Sequence, residues 1–255
     1  MNKSGYAFGT FKGVFTPSIL TILGAIMYLR IGWVLGNIGL PLTLFIVSLS
    51  MAIMFLTAFS LSALATNMRI SVGGAYFILS RSLGIEAGAS VGLPLFLAQA
   101  VGVSFYIAGF SESVIAVFPG LSATWVGIIT LFIIAFLVFT SANLALKSQY
   151  PIMAAIALSL VSLFMGDAPT VTNSGEIIAP VVRQSFWVVF AVFFPAVTGI
   201  LSGVGMSGDL KDPARSIPRG TFAALLVSYA IYISVPVYLY MRVPDSNILI
   251  TNTFI

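Results

Sequence analysis

Apolar residues run along this chain in long uninterrupted stretches, without the alternation of half-buried strands or the one-sided stripe of a surface helix. Charge-free runs occupy 13–29, 31–68, 87–111, 113–146, 148–166, 184–208 and 220–241. A helix needs about 20 mostly apolar residues to cross a bilayer, and each run is near that length or longer. The run 31–68 is too long for one crossing, and Gly36-Asn37-Ile38-Gly39-Leu40-Pro41 within it has turn composition. Phe118-Pro119-Gly120 separates the third span from the fourth. The pattern predicts seven spans, at 14–36, 41–65, 88–112, 124–141, 145–165, 186–206 and 219–241. The expected fold is therefore an all-α polytopic membrane protein. A transmembrane β-barrel fits poorly, because barrel strands are short and alternate apolar with polar residues.

Two of these spans are interrupted in the same way. Span one carries Thr21-Ile22-Leu23-Gly24-Ala25-Ile26 near its middle, with Pro17 and Ser18 a turn earlier. Span six carries Pro195-Ala196-Val197-Thr198-Gly199-Ile200-Leu201-Ser202-Gly203-Val204-Gly205, a poor sequence for a continuous helix. Backbone groups freed at membrane depth are tolerated only where protein or a cavity satisfies them. Paired Gly/Pro interruptions in corresponding places of two halves point to a transporter's binding site. Spans one and six are five apart, which suggests a five-plus-five inverted repeat. Small residues also serve close helix packing; that explanation suits Gly24 alone better than it suits the span-six cluster.

Composition narrows the function. Of 255 residues, 59% are apolar and 7% charged, against about a quarter charged in soluble domains. A soluble globular protein, a disordered chain and a nucleic-acid binder are excluded. Cys and His are both absent, which removes thiolate and imidazole metal sites, Cys nucleophiles and Ser-His-Asp triads. Only seven carboxylates exist, most at loop edges, so no catalytic residues and no cofactor are expected, and no enzyme. Met1 to Gly13 is polar with two lysines, a superficial likeness to a signal peptide. The apolar stretch that follows is too long and contains Pro17 and Arg30, so it is taken as the first span.

Lys and Arg set the expected orientation. With the amino terminus inside, Lys3, Lys12, Arg69, Arg81, Lys147, Lys211, Arg215 and Arg219 share one side, and Arg183 and Arg242 the other. Eight against two is a strong positive-inside bias, so the amino terminus is expected in the cytoplasm and Thr251 to Ile255 outside. Arg30 lies within a span, where a charge is expected to face the bundle and have a partner. Glu112, at the predicted outer end of span three, lies at matching depth, and the two are expected to pair as an extracellular gate; Arg30 snorkelling outward is the alternative. Segment 207–220 and Lys147 are expected to be cytoplasmic connector and topological lysine.

Three stretches carry a family resemblance. Gly13-Val14-Phe15, with Ile22-Leu23-Gly24-Ala25-Ile26-Met27-Tyr28-Leu29-Arg30-Ile31-Gly32-Trp33-Val34-Leu35-Gly36, resembles the first span of the cation-chloride cotransporter family of the amino acid–polyamine–organocation superfamily. Gly73-Gly74-Ala75-Tyr76-Phe77-Ile78-Leu79-Ser80-Arg81-Ser82-Leu83-Gly84 resembles its cytoplasmic entry to span three. Phe193-Phe194-Pro195-Ala196-Val197-Thr198-Gly199-Ile200, then Ser207-Gly208-Asp209-Leu210-Lys211-Asp212-Pro213 and Ser216-Ile217-Pro218-Arg219-Gly220-Thr221, give the longest match.

The resemblance implies bound ions at both breaks. Potassium would take the carbonyls of Thr21, Ile22 and Pro195, with Thr198 and the Tyr106 hydroxyl; chloride would take Gly24, Ala25 and Ile26 at one site, and Gly199, Ile200 and Leu201 at the other. Many family members have Asn where this chain has Thr21. The resemblance also supports the Arg30–Glu112 gate. It implies chloride-coupled symport of potassium, with sodium left open, by alternating access in the plasma (inner) membrane. The partners implied are potassium, chloride and the lipid bilayer, with a homodimer of the full-length protein allowed and no nucleic acid. Residues 1–13 would be a cytoplasmic tail, 14–165 the first five-helix repeat, 166–185 an extracellular loop and 186–255 two helices of the second repeat. On that basis the chain is expected to be the amino-terminal portion of a longer carrier. An amino acid permease of the same superfamily and a non-transporting fragment or assembly protein stay open.

Overall fold

The computed structural model describes residues 8–67, 73–140, 147–166, 183–243 and 246–251. Lys3, Arg69, most of the expected outer loop and the last four residues lie outside them. A π-helical turn, Phe11–Phe15, leads into α1 (Thr16–Ile22), and after Leu23 and Gly24 the chain restarts as α2 (Ala25–Asn67). There follow α3 (Gly74–Leu83), α4 (Ile85–Val117), α5 (Ala123–Thr140) and α6 (Gln149–Met165). Span six is α7 (Phe186–Val197) and α8 (Ile200–Gly205); α9 (Pro213–Arg242) and the short α10 (Ser246–Thr251) complete the fold. Among the described residues there is no strand, only an isolated parallel bridge between Phe8 and Leu210.

Among the described residues, five helical segments can cross a membrane by length and composition: Ile26–Asn67, Ile85–Val117, Ala123–Thr140, Phe186–Asp209 and Pro213–Arg242. The first, 42 residues long, would extend ~63 Å at 1.5 Å per residue, about twice a bilayer's hydrocarbon core. It is two helices joined at Gly39, whose backbone (φ 72, ψ 170) interrupts the helix in a region open essentially to glycine alone. Asn37 closes the first helix by donating to the Trp33 carbonyl (2.8 Å), while its own side-chain oxygen accepts the Gln184 amide (2.8 Å). Adding Gln149–Met165, 17 residues and apolar, recovers the seven predicted spans.

Two boundaries differ from expectation. Span three runs to Val117, past Glu112, and stops where Phe118-Pro119-Gly120 forbids continuation; a glutamate is a good helix former and does not itself end a helix. Span seven begins at Pro213, so Arg215 and Arg219 lie on its first turns and not in a connector. Asp212 accepts the Arg215 amide (3.3 Å), and Pro213 supplies the φ that a first helical residue needs.

The main core lies among spans one, two, six and seven, with Ile22, Met27, Ile31, Ile46, Met51, Phe193, Ile200, Leu225 and Tyr232 fully buried. A second cluster, at the amino-terminal end of span one, joins Phe8, Val14, Leu61, Ala65, Ile78, Val204, Leu210 and Ile217. Spans three and four sit at the margin: only Gly88 and Ser111 of α4 are buried, and no residue of α5.

Candidate functional site

Both predicted breaks form, and they meet. Span one opens at Leu23 (φ −85, ψ 38) and Gly24. Span six does not open at Pro195, which stays within α7, but at Thr198 (φ −73, ψ 152) and Gly199 (φ 146, ψ −5). Proline's missing N–H weakens the turn that precedes the break, while the positive φ that makes the corner needs Gly199 itself. A β-carbon on Gly199 would stand 2.9 Å from Thr21 Cβ and 3.2 Å from Ile22 Cγ1. The two broken spans therefore meet at their breaks, with Gly199 against Thr21 and Ile22 and, a turn on, Gly203 against Val14 and Ser18.

Hydroxyls tie the crossing together. Thr21 Oγ1 donates to the Pro17 carbonyl (2.8 Å) and lies 3.0 Å from Ser202 Oγ. With its only proton committed to Pro17, Thr21 accepts in the second bond and Ser202 donates. The Pro195 carbonyl accepts both the amide (3.3 Å) and the hydroxyl (2.7 Å) of Thr198. Ser18, fully buried beside Gly203, has no partner for its hydroxyl among the described residues.

Tyr106 of α4 closes one flank: its Cε1 lies 3.8 Å from where a β-carbon of Gly24 would stand, and the Thr21 carbonyl lies 3.1 Å from the same point. Thr21, Ile22, Gly24, Tyr106 and Gly199 are thus brought into one neighbourhood. Beyond each break a helix restarts, at Ala25 and at Ile200, and its first amides have no acceptor one turn back. Ile26 is buried and lines a cavity of about 230 Å³ with Leu29, Arg30, Phe105, Ala108, Gly109 and Glu112. At that cavity Arg30 Nη2 donates to Glu112 Oε2 at 3.4 Å, both side chains about one-third exposed. Ile200 is fully buried, and Leu201 is half-buried against the main core.

Two contributors were not singled out in the sequence. Ser202 lay within the span-six cluster without a stated role. Tyr232, on span seven, is entirely buried, and its hydroxyl reaches the Ile22 carbonyl (2.8 Å) and the Ala196 carbonyl (3.0 Å). A tyrosine in an apolar span calls for a hydroxyl partner, but span seven offers Tyr229, Tyr232, Tyr238 and Tyr240 alike.

At the opposite end of span one from the cavity, the first described residues pair with the join between spans six and seven. Phe8 donates its amide to the Asp209 carbonyl (2.8 Å) and accepts from the Lys211 amide (3.0 Å), and Thr10 donates to Ser216 (3.1 Å).

Residues 13–255 match the amino acid permease family model. Solute carrier family 12 member 1 of Oryctolagus cuniculus is 34% identical over 262 residues, which cover 92% of this chain and 24% of that protein. Solute carrier family 12 member 2 of Mus musculus is 32% identical over 260 residues, covering 92% of this chain and 22% of that one. The bumetanide-sensitive sodium-(potassium)-chloride cotransporter of Manduca sexta is 35% identical over 259 residues, 89% of this chain and 24% of that one. The chain thus spans about a quarter of the length of these relatives.

Proposed function

This chain belongs to the amino acid permease family of membrane transporters, on its cation-chloride cotransporter branch, and from that premise we propose that it forms the ion-binding part of a secondary active carrier coupling potassium to chloride. The observation that carries this reading is the crossing of the two breaks, where Gly199 packs against Thr21 and Ile22. In this reading the carbonyls of Thr21, Ile22 and Pro195, with the hydroxyls of Thr198 and Tyr106, replace the water of a potassium ion. Thr21 contributes by its carbonyl, since its hydroxyl is engaged with Pro17 and Ser202; an Asn-to-Thr difference at this position then leaves the ligand in place. Thr198 turns its hydroxyl away from Pro195 to reach the ion. Chloride is held by the N–H groups at the restarts, Gly24-Ala25-Ile26 and Gly199-Ile200-Leu201, which carry the partial positive charge of a helix start.

The carrier works by alternating access, with Arg30 and Glu112 gating the outer side and the Phe8 pairing closing the inner one. The amino terminus is cytoplasmic and the membrane the plasma (inner) membrane. Residues 14–165 form the first repeat of a five-plus-five fold and 186–255 begin the second. Sodium coupling and homodimer formation belong to the same proposal as further arms. The test is uptake of radioactive rubidium by cells expressing the full-length gene product. Uptake that disappears when chloride is replaced by gluconate supports the reading, and a sodium-free arm decides sodium coupling. Family membership supports a second reading, an amino acid permease whose substrate carboxylate uses the same amides. Chloride-independent uptake of an amino acid, without rubidium flux, would establish it instead.

A further inference from the structure

In an unbroken helix the Ile22 carbonyl would accept from the amide of Ile26, and the Ala196 carbonyl from that of Ile200. Both bonds would run across the breaks, so each break frees one of these carbonyls in a medium without water to take it up. The hydroxyl of Tyr232 serves both, at 2.8 Å and 3.0 Å, from a fully buried position on a third helix. Its ring is held edge-on against Phe193 (centroids 5.5 Å apart, 89° between planes), which fixes the oxygen between the two carbonyls. A phenol has one proton. At any instant one carbonyl receives it and the other keeps its lone pairs undonated, so the pair is electron-rich by construction.

We propose that Tyr232 is a positioning residue that couples the two breaks by shifting its single proton between the Ile22 and Ala196 carbonyls. This rests on the reading of Ile22 as a cation ligand. A cation on the Ile22 oxygen repels the hydroxyl hydrogen and takes the lone pair it was using. The proton turns to Ala196, strengthening that bond and fixing the span-six break just before Thr198 and Gly199, where the second chloride is proposed to bind. Cation occupancy in span one is thereby felt in span six with no covalent step and no large motion.

The experiment compares wild type, Tyr232→Phe and difluorotyrosine at 232 in the full-length gene product, reading rubidium uptake over a grid of rubidium and chloride concentrations. In wild type, raising chloride should lower the rubidium concentration at half-saturation, and the reverse, as linkage requires. Tyr232→Phe should abolish the mutual dependence, so that half-saturating rubidium no longer responds to chloride. Difluorotyrosine, a stronger donor of nearly the same shape, should keep the dependence and shift half-saturation. Unchanged mutual dependence in Tyr232→Phe overturns the proposal. Where Tyr232→Phe does not reach the membrane, difluorotyrosine decides, and wild-type values in that variant overturn it. Absence of chloride-dependent rubidium uptake in wild type overturns the transport reading itself, a different outcome from normal uptake with unaltered coupling.

Discussion

Single residues at the crossing differ sharply in what they can tolerate. Gly199 combines φ +146 with a neighbour 2.9 Å from any added β-carbon, so both backbone and space oppose a side chain. Gly199→Ala should cost about 1–3 kcal/mol from backbone strain alone, more where Thr21 cannot retreat. Ser202→Ala removes only the donor to Thr21, whose own proton stays on Pro17, and should cost about 1 kcal/mol. Thermal unfolding of the solubilised protein should show the first variant well below the second; equal losses would mean that the breaks do not meet at Gly199. Arg30 and Glu112, about one-third exposed and 3.4 Å apart, should add little stability, about 0–1 kcal/mol. Their effect is expected in gating: Arg30→Glu and Glu112→Arg should each reduce rubidium flux, and the double reversal should recover part of it. Failure of the double variant to recover would separate the two residues functionally.

Among elements, the pairing of Phe8 with the join between spans six and seven is the most open to test. It has two backbone hydrogen bonds, to Asp209 and Lys211, and the Phe8 side chain enters the second apolar cluster with Val204 and Ile217. Phe8→Pro removes the donated bond and the ring together. Because residues 1–255 hold no cysteine, a Val204→Cys reporter, read against the same protein without it, isolates labelling at this position by an impermeant thiol reagent applied to opened membranes. Labelling should be slow with Phe8 present and accelerate at least about tenfold with Phe8→Pro, the change expected when about 1.4 kcal/mol of closure is lost. Equal rates would show that the cluster holds without this pairing. Span three passes Glu112 and ends only at Phe118-Pro119-Gly120, and span seven begins at Pro213, where Asp212 caps it.

Across the whole molecule, burial is uneven. Spans one, two, six and seven share the core, while α5 has no buried residue and Phe139 is 90% exposed. In a bilayer such a face costs nothing, since lipid is as apolar as phenylalanine. Phe139→Leu should therefore leave stability within about 0.5 kcal/mol, whereas Phe193→Ala, deep in the core, should cost about 3–5 kcal/mol. Denaturation in detergent of matched variants compares them, and a large loss at Phe139 would mean that this face packs against protein.

The helices were legible in the sequence because crossing a membrane needs long charge-free runs, and the chain has them between 13 and 241. The turn at Gly39 was legible for a related reason: a run too long for one crossing had to fold back where Gly and Pro allowed it. Both breaks were visible as Gly and Pro misplaced in apolar spans, although the corner of span six lies at Gly199 rather than at Pro195. What the sequence could not supply was which groups answer those breaks. A freed carbonyl is satisfied by whichever side chain the packing brings within about 3 Å, and that depends on helix rotation and crossing, not on spacing along the chain. Hence Tyr232, one of four tyrosines in its span, is chosen only by the tertiary structure, 210 residues from Ile22 and 36 from Ala196.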